Sequence, residues 1–383
     1  MQNSGFQWAV AMRILVLSKR QYTNKDLLDD RYGRVFEIPS LLAQRGHDVR
    51  GVALSYRRRS QGWHTWKEFP GMRWWSENAF PSGLAMYGRV IAKAVAGWPV
   101  DVIWAGSDVL QVALAYRWSQ RHGVPLVVDL YDNYESFGLA RVPVLPGLFR
   151  KACINAAGVT TVSRTLADHV MADYGRGSDS RVIVNGVRDD FLLPRDKVAA
   201  RAELGLPIDA KLLGTAGSLT SDRGISDLFD AFLRIAGEDQ SAWLVVAGPR
   251  DGTIKRYRHP RIIDLGTLAL EQVPSLIGAL DVAVVCNRDS EFGRYCFPLK
   301  LHEIIACGTP VVVAAVGDVA RLLVDSPDCL YSPGNVEQLA GKIKHQMVAR
   351  VTGKMPVVPT WRDCAVELED YLEKTLEKVN RIH

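Results

Sequence analysis

Short apolar runs alternate with helix-length segments along nearly the whole chain, and the alternation breaks once, near residue 190, before starting again. That rhythm is the pattern of parallel βαβ units. In the first round, strands are expected at 13–18, 49–55, 102–106, 126–130, 159–163 and 182–185, and helices at 35–44, 109–121, 147–156 and 166–172. Gly46 and Gly123 stand where helices should stop. The second round has a helix at 197–204, strands at 212–217, 243–248, 262–265, 282–286 and 311–315, and helices at 225–235, 272–280 and 299–306. A chain of 383 residues is two to three times the usual domain length. The fold class is therefore α/β, with two doubly wound Rossmann-like domains over residues 12–190 and 191–360. A tail helix over 361–383 has Val366, Tyr371, Leu372, Leu376 and Val379 spaced for burial. Such sheets bind ligands at the carboxyl ends of their strands, so two domains facing a cleft would offer one surface to each of two substrates.

The apolar fraction of 48% with 23% charged residues suits a chain able to bury large cores, and excludes disorder as the main state. The apolar stretch 304–317 is too short for a bilayer and is broken by Pro310. Residues 1–11 lack the parts of a signal peptide and read as an extension ahead of Met12. The six cysteines are scattered without metal-binding spacing, so reduced thiols and a cytoplasmic location are expected. No D-x-D pair is present to hold a divalent cation, and no cofactor or metal is expected.

The most informative stretch is FPLKLHEIIACGTPVVVAA at 297–315. Lys300 and Glu303 are three apart on one face at the start of a helix, where free N–H groups and the positive dipole end favour an anion. A cation with exposed amides suits a diphosphate, and a carboxylate one turn away suits two ribose hydroxyls. The same pair also reads as an ordinary surface salt bridge.

PLKLHEIIACGTPVVVA resembles the donor-site signature P-x-K-L-x-E-x-x-A-x-G-x-P-V-V of the retaining glycosyltransferases of family 4, which have the GT-B fold. Four further stretches resemble that family in order: VIVNGVRDDFLLP at 182–194, AGSLTSDRGISDLFDAF at 216–232, WLVVAGPR at 243–250 and LGTLALEQVPSLIGALDVAVVCN at 265–287. The resemblance implies a nucleotide sugar donor, UDP- or GDP-linked, and a glycan or lipid-linked acceptor. It also implies metal-independent transfer in cell-surface polysaccharide synthesis, and a tail helix crossing back to the first domain. Gly217, Ser218, Arg223, Gly224, Arg250, Lys300, Leu301, Glu303 and Tyr295 are then the donor-binding candidates. Arg223 falls where the family has lysine, and its guanidinium suits a bidentate phosphate contact. It also reads as a solvated surface arginine, the lesser of the two readings. Two positions depart from the pattern: Ser218 replaces a cation, and Tyr295 replaces the first of two glutamates eight residues apart.

In the first domain, VVDLYDNYESF at 127–137 ends a strand in a polar cluster where the family commonly has a histidine; Tyr131 stands there, between Asp129 and Asp132. These three are the catalytic candidates, a carboxylate at a cleft being able to serve as base. They also read as residues that cap and order a loop. Ser163 and Arg164 are expected to cap the helix that follows, with His169 structural. The loop at 19–33 keeps one glycine, Gly33, among Lys19, Arg20, Lys25, Arg31 and Arg34. It reads as solvated or, through Arg31, Gly33 and Arg34, as a grip on an anionic acceptor.

Net charge is +5 overall, but residues 1–190 carry 24 basic and 17 acidic groups, or +7. Residues 57–93 alone hold seven bases and two acids, with Trp63, Trp66, Trp74 and Trp75 interleaved. Tryptophan beside Arg57, Arg58 and Arg59 is what an anionic membrane surface selects. The alternative is that the rings pack inside the domain. Nucleic acid also suits cations with aromatics, but no other feature supports it.

Three rival readings follow. An epimerase sharing the fold would act without an acceptor. A non-catalytic relative is suggested by Ser218 and Tyr295. A nicotinamide-dependent dehydrogenase needs G-x-G-x-x-G after the first strand, where S-K-R-Q-Y-T stands.

Overall fold

The computed structural model describes residues 11–22, 25–136, 138–175, 180–349 and 355–382. Residues 1–10 of the expected extension, residues 23 and 24 of the charged loop, and Phe137 of the polar cluster lie outside the described residues. The chain forms two compact units, one of Met1–Val184 with Trp361–His383 and the other of Asn185–Thr360. The division falls six residues ahead of the point suggested by the restart of the alternation.

The first unit contains strands β1 (Arg13–Lys19), β2 (Gln21–Tyr22), β3 (Lys25–Asp26), β4 (Asp48–Ser55), β5 (Gly62–Thr65), β6 (Met72–Asn78), β7 (Val102–Gly106), β8 (Leu126–Leu130), β9 (Gly158–Thr161) and β10 (Ser180–Val182). Its helices are α1 (Arg34–Gln44), α2 (Tyr87–Ala94), α3 (Val109–His122), α4 (Leu145–Asn155), α5 (Arg164–Asp173) and α13 (Trp361–Ile382). Eight strands form one sheet in the order β10-β9-β8-β7-β1-β4-β6-β5, parallel except for β5. Every residue of β7 and β8 is buried, as expected when helices cover both faces. Local chemistry sets the helix ends. The Asp108 carboxylate accepts from the Gln111 amide at 2.9 Å to start α3, Gly123 at φ 66° ends it, and Ser163 caps α5.

The sequence reading missed β5, β6 and α2, because their alternation is interrupted by charged and aromatic residues. Trp74 of β6 is fully buried, and it fits because Gly51 of the adjacent β4 has no side chain: a Cβ there would lie 2.1 Å from the indole ring. Trp66 is also buried, edge-on to Phe36 of α1 at 5.2 Å. The expectation of four tryptophans facing a membrane thus fails for Trp66 and Trp74, whose apolar rings are taken up by the domain core. Trp63 is 41% exposed, and Arg73 and Lys93 lie over the rings of Trp63 and Trp75 at 5.0 and 4.4 Å. Arg57, Arg58 and Arg59 are exposed, and Arg59 pairs with Asp26 at 3.3 Å.

Helix α13 packs on α1. Its buried residues include Trp361, Cys364, Ala365, Leu368 and Leu372, whereas Val366 is exposed, so the apolar face is rotated from the expected one. His47 fixes the contact, accepting at Nδ1 from the Met12 amide at 3.0 Å and meeting Glu369 through Nε2 at 2.7 Å.

The second unit has strands β11 (Lys211–Ala216), β12 (Ala242–Ala247), β13 (Ile262–Asp264), β14 (Val282–Val285), β15 (Val311–Ala314) and β16 (Leu330–Tyr331). They form a parallel sheet in the order β13-β12-β11-β14-β15-β16. Helices α6 (Lys197–Glu203), α7 (Ser226–Glu238), α8 (Val273–Ala279), α9 (Glu291–Tyr295), α10 (Leu299–Ala306), α11 (Asp318–Leu322) and α12 (Val336–Ala349) complete it. Leu228, Phe229 and Phe232 of α7 pack with Leu339 and Ile343 of α12 over the sheet. Among the described residues, no helix is long and apolar enough to cross a membrane. The cysteines are thiols, four of them buried.

Candidate functional site

In the second unit, the loops at the carboxyl edge of the sheet and the start of α10 bring the donor candidates together. β11 runs into Gly217 at φ 149°, a backbone conformation that L side chains rarely adopt. Its bare face lies against Lys300, since a Cβ on Gly217 would be 3.4 Å from the lysine Cε. Lys300 Nζ reaches Glu303 Oε2 at 2.5 Å, and Glu303 is buried while Lys300 keeps about a quarter of its side chain exposed. The pair is therefore sunk at a helix N-terminus, unlike a solvated surface bridge. Burial, and then the Glu303 carboxylate, push the nearby Cys307 thiol up to about 12.

Around this pair the candidates separate. Arg223 lies over the Phe292 ring at 4.4 Å and donates to Cys296 Sγ at 3.7 Å, tying the β11 loop to the segment that holds Tyr295 at the end of α9. Gly224 abuts Asn287 and Arg288, and Arg288 Nε donates to the Ser221 carbonyl at 2.5 Å. Arg288 was not singled out from the sequence; its place just after β14, at the ligand-binding edge, was the available signal. Ser218 meets Thr220 at 3.1 Å. Arg250 is paired with Asp264 and donates to the Gly248 carbonyl at 3.0 Å, which accounts for its charge without a ligand. Leu301 is fully buried and packs in the core, a correction to its place among donor-binding residues: it lies on the inward side of α10.

His302, also on α10, is buried and donates from Nδ1 to the Asn185 carbonyl at 2.8 Å. Burial holds its pKa below the ordinary histidine value, partly offset by that hydrogen bond. The unfolded chain then binds the extra proton first, so this contribution to stability is present above pH ~6.5 and is lost as pH falls through that value. Between pH 7 and 5 the wild type should lose up to about 1.4 kcal/mol per pH unit relative to His302→Gln, which thermal melts of both proteins would measure.

In the first unit, Arg34 and Asp129 are not positioned as acceptor grip and base. Arg34 runs from the start of α1 to the end of β8 and makes a two-pronged ion pair with Asp129, 2.9 Å at each oxygen. Thr160 donates to the same carboxylate at 2.6 Å, and Arg34 Nη1 donates to the Ile183 carbonyl at 2.7 Å. Both side chains are at least 97% buried. Although burial works against it, Asp129 raises the Arg34 pKa. Asp129 is thus a structural counter-ion, closed to a substrate proton. Tyr131 is buried edge-on between Tyr22 and Tyr134, at 5.2 and 5.4 Å, and burial raises its hydroxyl pKa well above the ordinary value. Asp132 is the one member of the trio that is not buried.

The loop after β1 is not the solvated one expected. Arg20 is fully buried, held by Asp26 at 2.9 Å, Asp29 at 2.8 Å and Ser76 at 2.8 Å. Arg31 is exposed and pairs with Glu68 at 3.3 Å, and Gly33 caps α1. A small pocket opens here, lined by Lys19, Tyr22, Tyr32, Gly33, Arg34 and Tyr131. Burial lowers the Lys19 pKa, opposed by Asp108 and Asp132. Among the described residues, no group of three or more His, Cys, Asp or Glu could hold a metal ion.

Residues 34–191 match the family model Glycosyltransferase Family 4, and residues 210–347 match the model Glycosyl transferases group 1. The D-inositol 3-phosphate glycosyltransferase of Stackebrandtia nassauensis is 28% identical over 299 residues, or 68% of this chain and 64% of that protein. The chain thus spans less than two thirds of that relative's length. Sucrose-phosphate synthase from Thermosynechococcus elongatus aligns over 97% of this chain and 98% of its own, with TM-score 0.73 and 17% identity. HepE of Anabaena, solved in complex with UDP-glucose, aligns over 97% of this chain and 100% of its own, with TM-score 0.68 and 18% identity. At those identities the likeness speaks for the fold alone, the GT-B class. With one glycosyltransferase model on each unit, and most of the chain matched by the two, the chain belongs to the GT-B glycosyltransferases, consistent with family 4.

Proposed function

We propose that this protein is a retaining, metal-independent glycosyltransferase that moves a sugar from a UDP- or GDP-linked donor to a glycan or lipid-linked acceptor in bacterial cell-surface polysaccharide synthesis. The observation that carries the reading is the buried Lys300–Glu303 pair over the bare backbone of Gly217. The complex of HepE with UDP-glucose supports the donor class. Lys300, Arg223 and the first amides of α10 neutralise the diphosphate leaving group, the charge that grows as the sugar–oxygen bond breaks. Glu303 accepts hydrogen bonds from the ribose. The acceptor oxygen bonds to the anomeric carbon on the face the diphosphate leaves, and its proton passes to the departing diphosphate oxygen, so no protein nucleophile is required. Membership in the P-x-K-L-x-E subgroup fits Tyr295 in place of the first glutamate.

A thermal-shift panel of nucleotides and nucleotide sugars tests this, because a ligand held at a hundred times its Kd stabilises the fold by about 2.7 kcal/mol. UDP or GDP and their sugars should raise the melting temperature equally with and without EDTA, and the product should keep the donor's anomeric configuration by NMR. No shift with any nucleoside diphosphate at millimolar concentration assigns the chain to the non-catalytic relatives. Epimer released from donor alone assigns it to the epimerases.

A further inference from the structure

Helices α2, α3 and α4 follow one another in the first unit, and none contains an acidic residue. Their bases Arg89, Lys93, Arg117, Arg121, Arg150 and Lys151 are all exposed. α3 packs against both α2 and α4. Right-handed crossovers place α3 and α1 on opposite faces of the sheet, because the chain leaves β7 and β1 in opposite directions along it. The α1 side carries α13, which is rich in acids, including Glu367, Asp370, Glu373 and Glu377. The α1 side thus gathers acids, whereas α2–α4 carry six Lys and Arg and no acid; α5, which the same rule puts on their face, adds Arg164 against Asp168 and Asp173.

That face also exposes aliphatic side chains where solubility alone would favour polar ones. Val142 is 44% exposed, Val144 73% and Leu148 44%, all in the stretch Arg141–Lys151 that leads into and along α4. Met86, at 38%, stands at the corresponding start of α2, and Phe80, at 70%, in the turn Ala79–Gly83 ahead of it. Val144 has φ 78°, a conformation that a β-branched residue adopts only under strain, and its apolar side chain is in water. Arg150 among these bases pairs with Glu135 at 2.8 Å; the exposed aliphatics beside the other cations match the requirements of a bilayer interface, apolar insertion plus attraction to anionic headgroups.

We propose that the α2–α4 face, led by Val142, Val144 and Leu148, docks on an anionic membrane surface, in place of the tryptophan segment at 63–75. Docking is separate from sugar transfer and is tested without substrate, so its failure leaves the donor-site reading standing. The test is flotation of the full chain with vesicles of phosphatidylcholine alone or with a third phosphatidylglycerol. Binding is expected only to the anionic vesicles and should fall with salt. Arg141→Gln with Lys151→Gln should weaken it about fivefold per charge. Val144→Gly should weaken it several-fold while holding or raising the melting temperature, since glycine adopts that backbone without a Cβ penalty, whereas a merely structural valine would leave partitioning unchanged. Trp63→Ala should float like wild type. Absence from anionic vesicles, indifference to the Val144 and Lys151 changes, or binding to polyuridylate in place of vesicles would each overturn the proposal.

Discussion

Glu303→Ala is expected to leave the protein folded and to cut kcat/KM for sugar transfer by about a hundredfold, through loss of the hydrogen bonds that a charged acceptor makes to the donor. The removed carboxylate is buried and paired with Lys300 at 2.5 Å, so the variant also releases the lysine from its position over Gly217. Lys300→Ala should cost about 10² to 10³ in kcat, because it faces the charge that develops on the diphosphate. Arg223→Ala should behave like Lys300→Ala, with its perch on Phe292 lost as well. Glu303→Gln, which keeps an acceptor oxygen, should recover part of the binding but not the grip on Lys300. The measurements are steady-state kinetics and calorimetric nucleotide titration on variants with wild-type melting behaviour. Wild-type rates in Glu303→Ala and Lys300→Ala would remove these residues from the site.

The other large effect is on stability. Asp129→Ala should destabilise the first unit by about 3–5 kcal/mol, because it strands the Arg34 guanidinium in the core. Arg34→Ala should cost as much, and Arg34→Met with Asp129→Leu should recover most of the loss, since the double change removes the buried charges together. Urea denaturation read in the first unit checks this, with nucleotide affinity of the second unit as control. If Asp129→Asn were instead stable and inactive, the carboxylate would be a base after all and the structural assignment would fall.

These two sites differ in how far the sequence reveals them. Lys300 and Glu303 share a helix, and three residues of spacing fix them on one face, so their meeting was readable from local geometry. Arg34 and Asp129 are 95 residues apart. Asp129 looked like a catalytic base because it ends a strand at the ligand edge; that a cation from α1 would cover it depends on how α1 lies along the sheet. Trp74 looked like a headgroup ligand because cations flank it in sequence. Strand alternation turns its ring inward while Arg73 and its other neighbour turn outward, and only the pairing with Gly51 opens the space it fills. Leu301 was swept into the donor site with its motif, although one helical step directs it into the core.

The sequence by itself determined the α/β class, the two sheets, a division near residue 190 and the shared face of Lys300 and Glu303, because hydrophobic period and helix spacing act over a few residues. The tertiary structure decided which charges are buried as partners and which remain at the surface. It also decided that three helices without acids share one face of the first unit. Both depend on contacts between residues far apart in the chain, and a buried charge takes its role from its partner as much as from its type.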